Sequence, residues 1–207
     1  MKFFGLTPDA IAARNGGTLP PAPGLPRAVG WGGAGFAAVS TLAYGIWAWK
    51  VMRDSPAMYA VIALVYIGLG GVVLGRLVAG RGSWQRFALC FATVFLVYAV
   101  IWSACWYGLR GKHLADLWGA LLGLAAMAWL LQRAFGATGG FLVLFLVLFA
   151  LHSAGYYAGG VLKGTYRGST GMLLWGTAHG AGFGAGLGYV LWRLQASVRA
   201  AAAGGGA

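Results

Sequence analysis

The sequence predicts an all-α protein: a polytopic transmembrane bundle of about six helical spans, packed through glycine. Three observations predict it. The chain of 207 residues is 60% hydrophobic and only 9% charged, with a mean hydropathy of +0.76. A soluble domain carries about 25% charged residues, and a core of this size has no room for so much apolar side chain, so lipid must be part of the solvent. Six apolar runs of about twenty residues each match the ~30 Å core of a bilayer. Finally, glycines recur at four-residue spacing in most of these runs, which lays a smooth stripe along a helix.

The order of the chain supports this division. Thr7-Pro8-Asp9 reads as a helix start, with a capping hydroxyl, a proline in the first turn and an acid at the positive helix end. Asn15-Gly16 stops that helix after two turns. With Phe3, Phe4, Leu6 and Ile11 nearby, residues 1–28 are expected to form an interfacial segment or a partner-docking segment. The run LPPAPGLP at 19–26 then reads as an extended connector in which no helix forms. The stretch 1–29 lacks a continuous apolar core ahead of a cleavage site, so the first span is expected to act as its own insertion signal.

The six-helix transmembrane domain is expected over 29–193, with spans at 29–49, 57–79, 86–108, 114–132, 139–161 and 171–192. Short connectors make sequential spans antiparallel neighbours. The final stretch, 194–207, reads as a flexible Ala/Gly tail. Six spans put both termini on one side, which collects nine cations, against six on the other. That balance, and the loop holding Arg76, Arg81 and Arg86, places both termini in the cytoplasm of a bacterial inner-membrane type of bilayer.

Composition also excludes functions. Asp9, Asp54 and Asp116 are the only acids and lie in different segments, so neither a carboxylate pair for acid–base work nor an Asp/Glu proton relay can be assembled. The net charge of +12 suits an anionic lipid surface. Nucleic acid is not an expected partner, because no basic patch interleaves with aromatics outside the spans. Cys90 and Cys105 lie fifteen residues apart on one helix, roughly 22 Å along its axis, and cannot bridge each other.

Two patterns are left to carry function. The first is the glycine code: Gly176, Gly180, Gly184 and Gly188 in the last span, Gly119 and Gly123 in the fourth, and Gly155 and Gly159 in the fifth. Small residues mark where helices approach closely in lipid. They serve the bundle itself or a second chain. The second pattern is histidine. His152 shares a face with Gly155, Tyr156 and Gly159, while His179 shares one with Met172, Trp175, Gly182 and Gly186, two glycines that leave room beside the imidazole. Antiparallel packing brings both histidines to one depth. His113, with Asp116 one helical turn later, and Arg110, Lys112, Lys163 and Arg167 surround the entrance on that side.

Several uses fit. His152 and His179 can be a neutral structural clasp. One or both can be axial ligands of haem or a chlorophyll-type pigment. They can also line a cavity for an anion or lipid headgroup, with Tyr156. A protein metal site is disfavoured, since Asp116 is the only other ligand and lies shallower. The strings HLADLWG at 113–119 and AHGAG at 178–182 resemble rhomboid intramembrane proteases in outline. That family requires a Gly-x-Ser-Gly nucleophile motif opening an intervening span. Here Gly168-Ser169-Thr170-Gly171 precedes the His179 helix itself, so no catalytic residue is assigned. The expected role is a non-catalytic structural or accessory subunit of a larger membrane complex, in contact with other subunits or with copies of itself. The alternative is a ligand-binding, cofactor-binding or transport protein using His152 and His179.

Overall fold

The computed structural model describes residues 2–52 and 55–204, so Arg53 and Asp54 and the last three residues of the expected tail lie outside it. Among the described residues all regular structure is helical. Four helices among the described residues are long and apolar enough to cross a membrane: 57–75, 83–108, 115–135 and 141–166.

The chain opens with a short turn at Lys2–Phe4 and α1 (Pro8–Arg14), capped by Thr7, whose hydroxyl accepts from the Ala10 amide. Phe4, Leu6 and Ile11 are buried in protein, so this segment docks onto the bundle. The connector expected to reach residue 26 ends at Gly24. Helix α2 (Leu25–Ala48) takes Pro26 into its first turn, where a missing N–H costs no hydrogen bond.

The second apolar run is not one regular helix. It consists of α3 (Ser55–Val65), a π-helical turn at Tyr66–Gly70, and α4 (Gly71–Gly75). The wide turn accompanies an inward Tyr66, whose hydroxyl meets Ser40 Oγ at 2.6 Å and whose ring stacks on Phe95. Helix α5 (Ser83–Gly108) and α6 (Ala115–Phe135) follow. Then come α7 (Phe141–Tyr166) and α8 (Gly168–Leu194). The loop expected at 162–170 shrinks to Arg167, with φ of 46°, because α7 continues past Val161 and α8 starts early.

The helices close a ring in the spatial order α2, α8, α7, α6, α5, α3/α4 and back to α2. Phe36, Phe91, Phe95, Tyr98 and Phe183 fill its middle, with the Phe36 and Phe183 centroids 5.2 Å apart. Along α2 and α8 the backbones touch. A Cβ on Gly184 would sit 2.1 Å from the Gly32 carbonyl oxygen, and one on Gly188 would sit 2.2 Å from that of Ala28. A Cβ on Gly180 would meet Ser40 and Phe36, and one on Gly176 the Tyr44 ring. On α6, Gly119 and Gly123 accommodate Trp102 and Tyr98 of α5.

The Ala/Gly tail expected to be flexible carries α9 (Ala196–Gly204). Alanine is the best helix former, and Val198 anchors the helix by packing on Ile11 and Ala79 in a second small core. Gln195, fully buried, joins this core to the bundle. Its Oε1 accepts from the Ala79 amide at 2.8 Å, and its Nε2 donates to the Leu77 and Leu191 carbonyls.

Candidate functional site

The two histidines meet because α7 and α8 pack backbone to backbone. The Ala178 carbonyl oxygen lies 2.5 Å from where a Gly155 Cβ would be, and the Leu151 carbonyl oxygen 2.3 Å from where a Gly182 Cβ would be. The residues that follow those carbonyls are His179 and His152. Their Nε2 atoms are 3.1 Å apart and their rings perpendicular. The space expected beside His179 at Gly182 and Gly186 does not exist, since the backbone and Leu148 of α7 occupy it.

Two tyrosines extend the pair into a chain across four helices. The Tyr98 hydroxyl of α5 lies 3.0 Å from His152 Nε2, and the Tyr44 hydroxyl of α2 lies 3.4 Å from His179 Nδ1. A neutral imidazole has one donor and one acceptor nitrogen. If His179 donates through Nε2, its Nδ1 accepts from Tyr44. In the opposite arrangement His152 donates, and His179 Nδ1 donates to Tyr44. Either way His152 Nδ1 has no partner among the described residues, and it is buried. The neighbouring Ser153 Oγ is also buried and has no partner among the described residues.

Both residues line a narrow cleft between α6 and α7, with Trp102, Asp116, Tyr156 and Tyr157 among its other walls. The cleft volume open to a water-sized solute is ≈ 10 Å³, about enough for one water molecule. Tyr156 stands with its ring 5.6 Å from that of His179 and 5.3 Å from that of Trp175.

The remaining predicted residues are placed differently. His113 and Leu114 both have positive φ and precede α6, so the one-turn pairing of His113 with Asp116 is lost. Asp116 instead accepts from the Tyr157 hydroxyl at 3.2 Å. Arg110, His113 and Arg167 are exposed. Lys163 alone of the entrance cations is held, with Nζ 4.6 Å and 5.0 Å from the Trp175 and Trp47 ring centres.

Axial ligation by both histidines does not fit this arrangement, because the nitrogens hydrogen-bond to each other and leave no gap for a macrocycle. Tyr44, Tyr98 and Ser153 were not legible as site residues. Each lies in an apolar run, and what gives it meaning is a partner on another helix. The chain matches no protein-family model, no curated protein and no solved structure.

Proposed function

We propose that the chain is an integral membrane protein of six glycine-packed spans that binds a small polar ligand in the cleft beside His152. The observation that carries this reading is the pair of orphaned polar atoms, His152 Nδ1 and Ser153 Oγ, on two residues of one cleft wall. Buried polar groups are normally satisfied. A ligand group offering a donor and an acceptor would satisfy both, and Asp116 and Tyr156 line the same cleft. The size of the cleft suits a single hydroxyl or amine group rather than a pigment.

The six-span count rests on the ring. Helices α2 and α8 are not among the four long apolar helices; their packing on each other and of α8 on α7 supports counting both as spans, with glycine lowering the hydropathy of each. Both termini then share one side, the cytoplasmic one by charge balance.

The test is high-resolution native mass spectrometry of protein purified in mild detergent, beside His152→Ala and Ser153→Ala variants of equal thermal stability. A non-lipid adduct on the native protein, lost from both variants, is expected. Identical spectra, as a lone water in the cleft would give, sink the reading. An absorption spectrum settles the pigment version, because a colourless preparation removes haem and chlorophyll.

A specific observation also favours the accessory-subunit reading. On α7, a Cβ at Gly160 or Gly164 would meet nothing within 4 Å, and Tyr157 and Val161 beside them are exposed. This face suits a helix of another subunit or of a second copy. A clean 21.5 kDa monomer in mild detergent argues against it.

A further inference from the structure

We propose that Arg14 and Arg86 form a binding site for an anionic phosphoester at the membrane face carrying the N-terminal segment. The site is separate from the histidine cleft and does not depend on it. Arg14, at the end of α1, is fixed by two hydrogen bonds: Nε donates to the Arg81 carbonyl at 3.3 Å, and one terminal nitrogen donates to Ser83 Oγ at 3.1 Å. Its other terminal nitrogen converges with one from Arg86 of α5. They lie 3.0 Å and 3.2 Å from the point where a Gly5 Cβ would be. Gly5 has φ of +63°, and a Cβ there would crowd both guanidinium ends, so glycine lets the two groups close on one point of the backbone.

Two like charges held this close repel each other. Burial and Arg86 both pull the Arg14 pKa down, and no carboxylate of a described residue offsets them. The positive end of the 26-residue α5 adds to the field, since Ser83 opens that helix. Guanidinium forks match the oxygens of a phosphate, two bonds at a time. A bound anion would therefore relieve the repulsion that α1 docking creates. The surroundings are those of a headgroup layer: Phe3 is 76% exposed, and Arg76 lies over the Trp84 ring.

Full-length protein in phosphatidylcholine-containing micelles is titrated with phosphatidylglycerol and, separately, with inorganic phosphate. Thermal unfolding and native mass spectrometry give the readouts. Phosphatidylglycerol is expected to raise the unfolding midpoint and to be retained. Arg86→Gln should weaken its apparent affinity by about ten-fold, the loss of one charge-assisted pair. Arg193→Ala, which removes an exposed charge from the same end of the bundle, should leave it within about two-fold, as expected for a screened surface charge. Displacement of the lipid by millimolar inorganic phosphate assigns the site to soluble phosphoesters, whereas retention assigns it to lipid headgroups. Equal affinity in Arg86→Gln and native protein overturns the proposal, and so does equal weakening in Arg86→Gln and Arg193→Ala. Arg86→Gln is the deciding variant because Arg14 also holds Arg81 and Ser83.

Discussion

Replacing Gly184 with alanine is the sharpest test of how this bundle is held. The added Cβ would lie 2.1 Å from the Gly32 carbonyl oxygen, 2.4 Å from Phe36 Cβ and 2.8 Å from the Gly32 carbonyl carbon, whereas ordinary contact starts at 3.4 Å. These atoms are backbone or the root of a buried side chain, so none can swing aside. Helix α8 must withdraw from α2 by about an ångström, which loosens the neighbouring contacts at Gly180 and Gly188. Overpacking typically costs about 1–3 kcal/mol, and rigid neighbours put this site at the upper end. Helix propensity returns up to ~1 kcal/mol for Gly→Ala, leaving a net loss of about 2 kcal/mol. Gly160→Ala is the matched control, since its Cβ would meet nothing within 4 Å and should gain up to ~1 kcal/mol from propensity alone. The two variants should therefore differ by about 3 kcal/mol in reversible SDS unfolding followed by tryptophan fluorescence. Equal unfolding points for the two would refute the reasoning, because close backbone approach would then not limit the α2–α8 interface.

Other consequences follow from the polar groups. Gln195→Leu strips the Ala79 amide and the Leu77 carbonyl of their partner, at roughly 1–3 kcal/mol for each orphaned group; amide exchange at Ala79 should speed up, and unchanged protection would count against the tether. Tyr98→Phe should destabilise by about 1 kcal/mol, within the range measured for hydrogen bonds in membranes. Tyr44→Phe should cost less, since its contact is 3.4 Å against 3.0 Å, and a reversed order in the same unfolding assay would contradict the geometry. Ser153→Ala removes a buried oxygen without a partner, so ligand-free protein should be unchanged or slightly more stable; a loss above ~1 kcal/mol would mean that the hydroxyl has a partner. Ending the chain at Leu194 removes Val198 from the small core with Ile11 and Ala79, and limited proteolysis of α1 should then accelerate.

The four apolar helices could be read from the sequence because a spanning helix is a local property of about twenty residues. The histidine pair was half legible. Antiparallel neighbours make the encounter of His152 with His179 expected, but the glycines at 182 and 186 that suggest space beside them are filled by α7. Glycine on a helix facing lipid leaves a notch, while glycine on a helix facing another backbone leaves none, and sequence spacing cannot tell these apart. Gly182 and Gly186 are of the second kind, whereas Gly160 and Gly164 face open space among the described residues. The same limit hid Gly32 as the partner of Gly184, since all the other spanning helices lie between α2 and α8 in the chain.

The terminal segments show a different limit. Read alone, 1–28 has too few apolar residues for a core and 194–207 is Ala/Gly repeat, so each looked like a surface appendage. Their burial depends on each other: Ile11 comes from one, Val198 from the other, and Ala79 from the loop between α4 and α5. Gln195 then makes the cluster cooperative, because one side chain satisfies the backbone of that loop while capping α8. This mutual dependence also explains why Arg14 and Arg86 come so close. Docking α1 on α9 and the loop carries its terminal arginine to the start of α5 whatever the charge there. Hydrophobic burial thus sets the position of two like charges that electrostatics alone would hold apart, and the anion site is a by-product of that constraint.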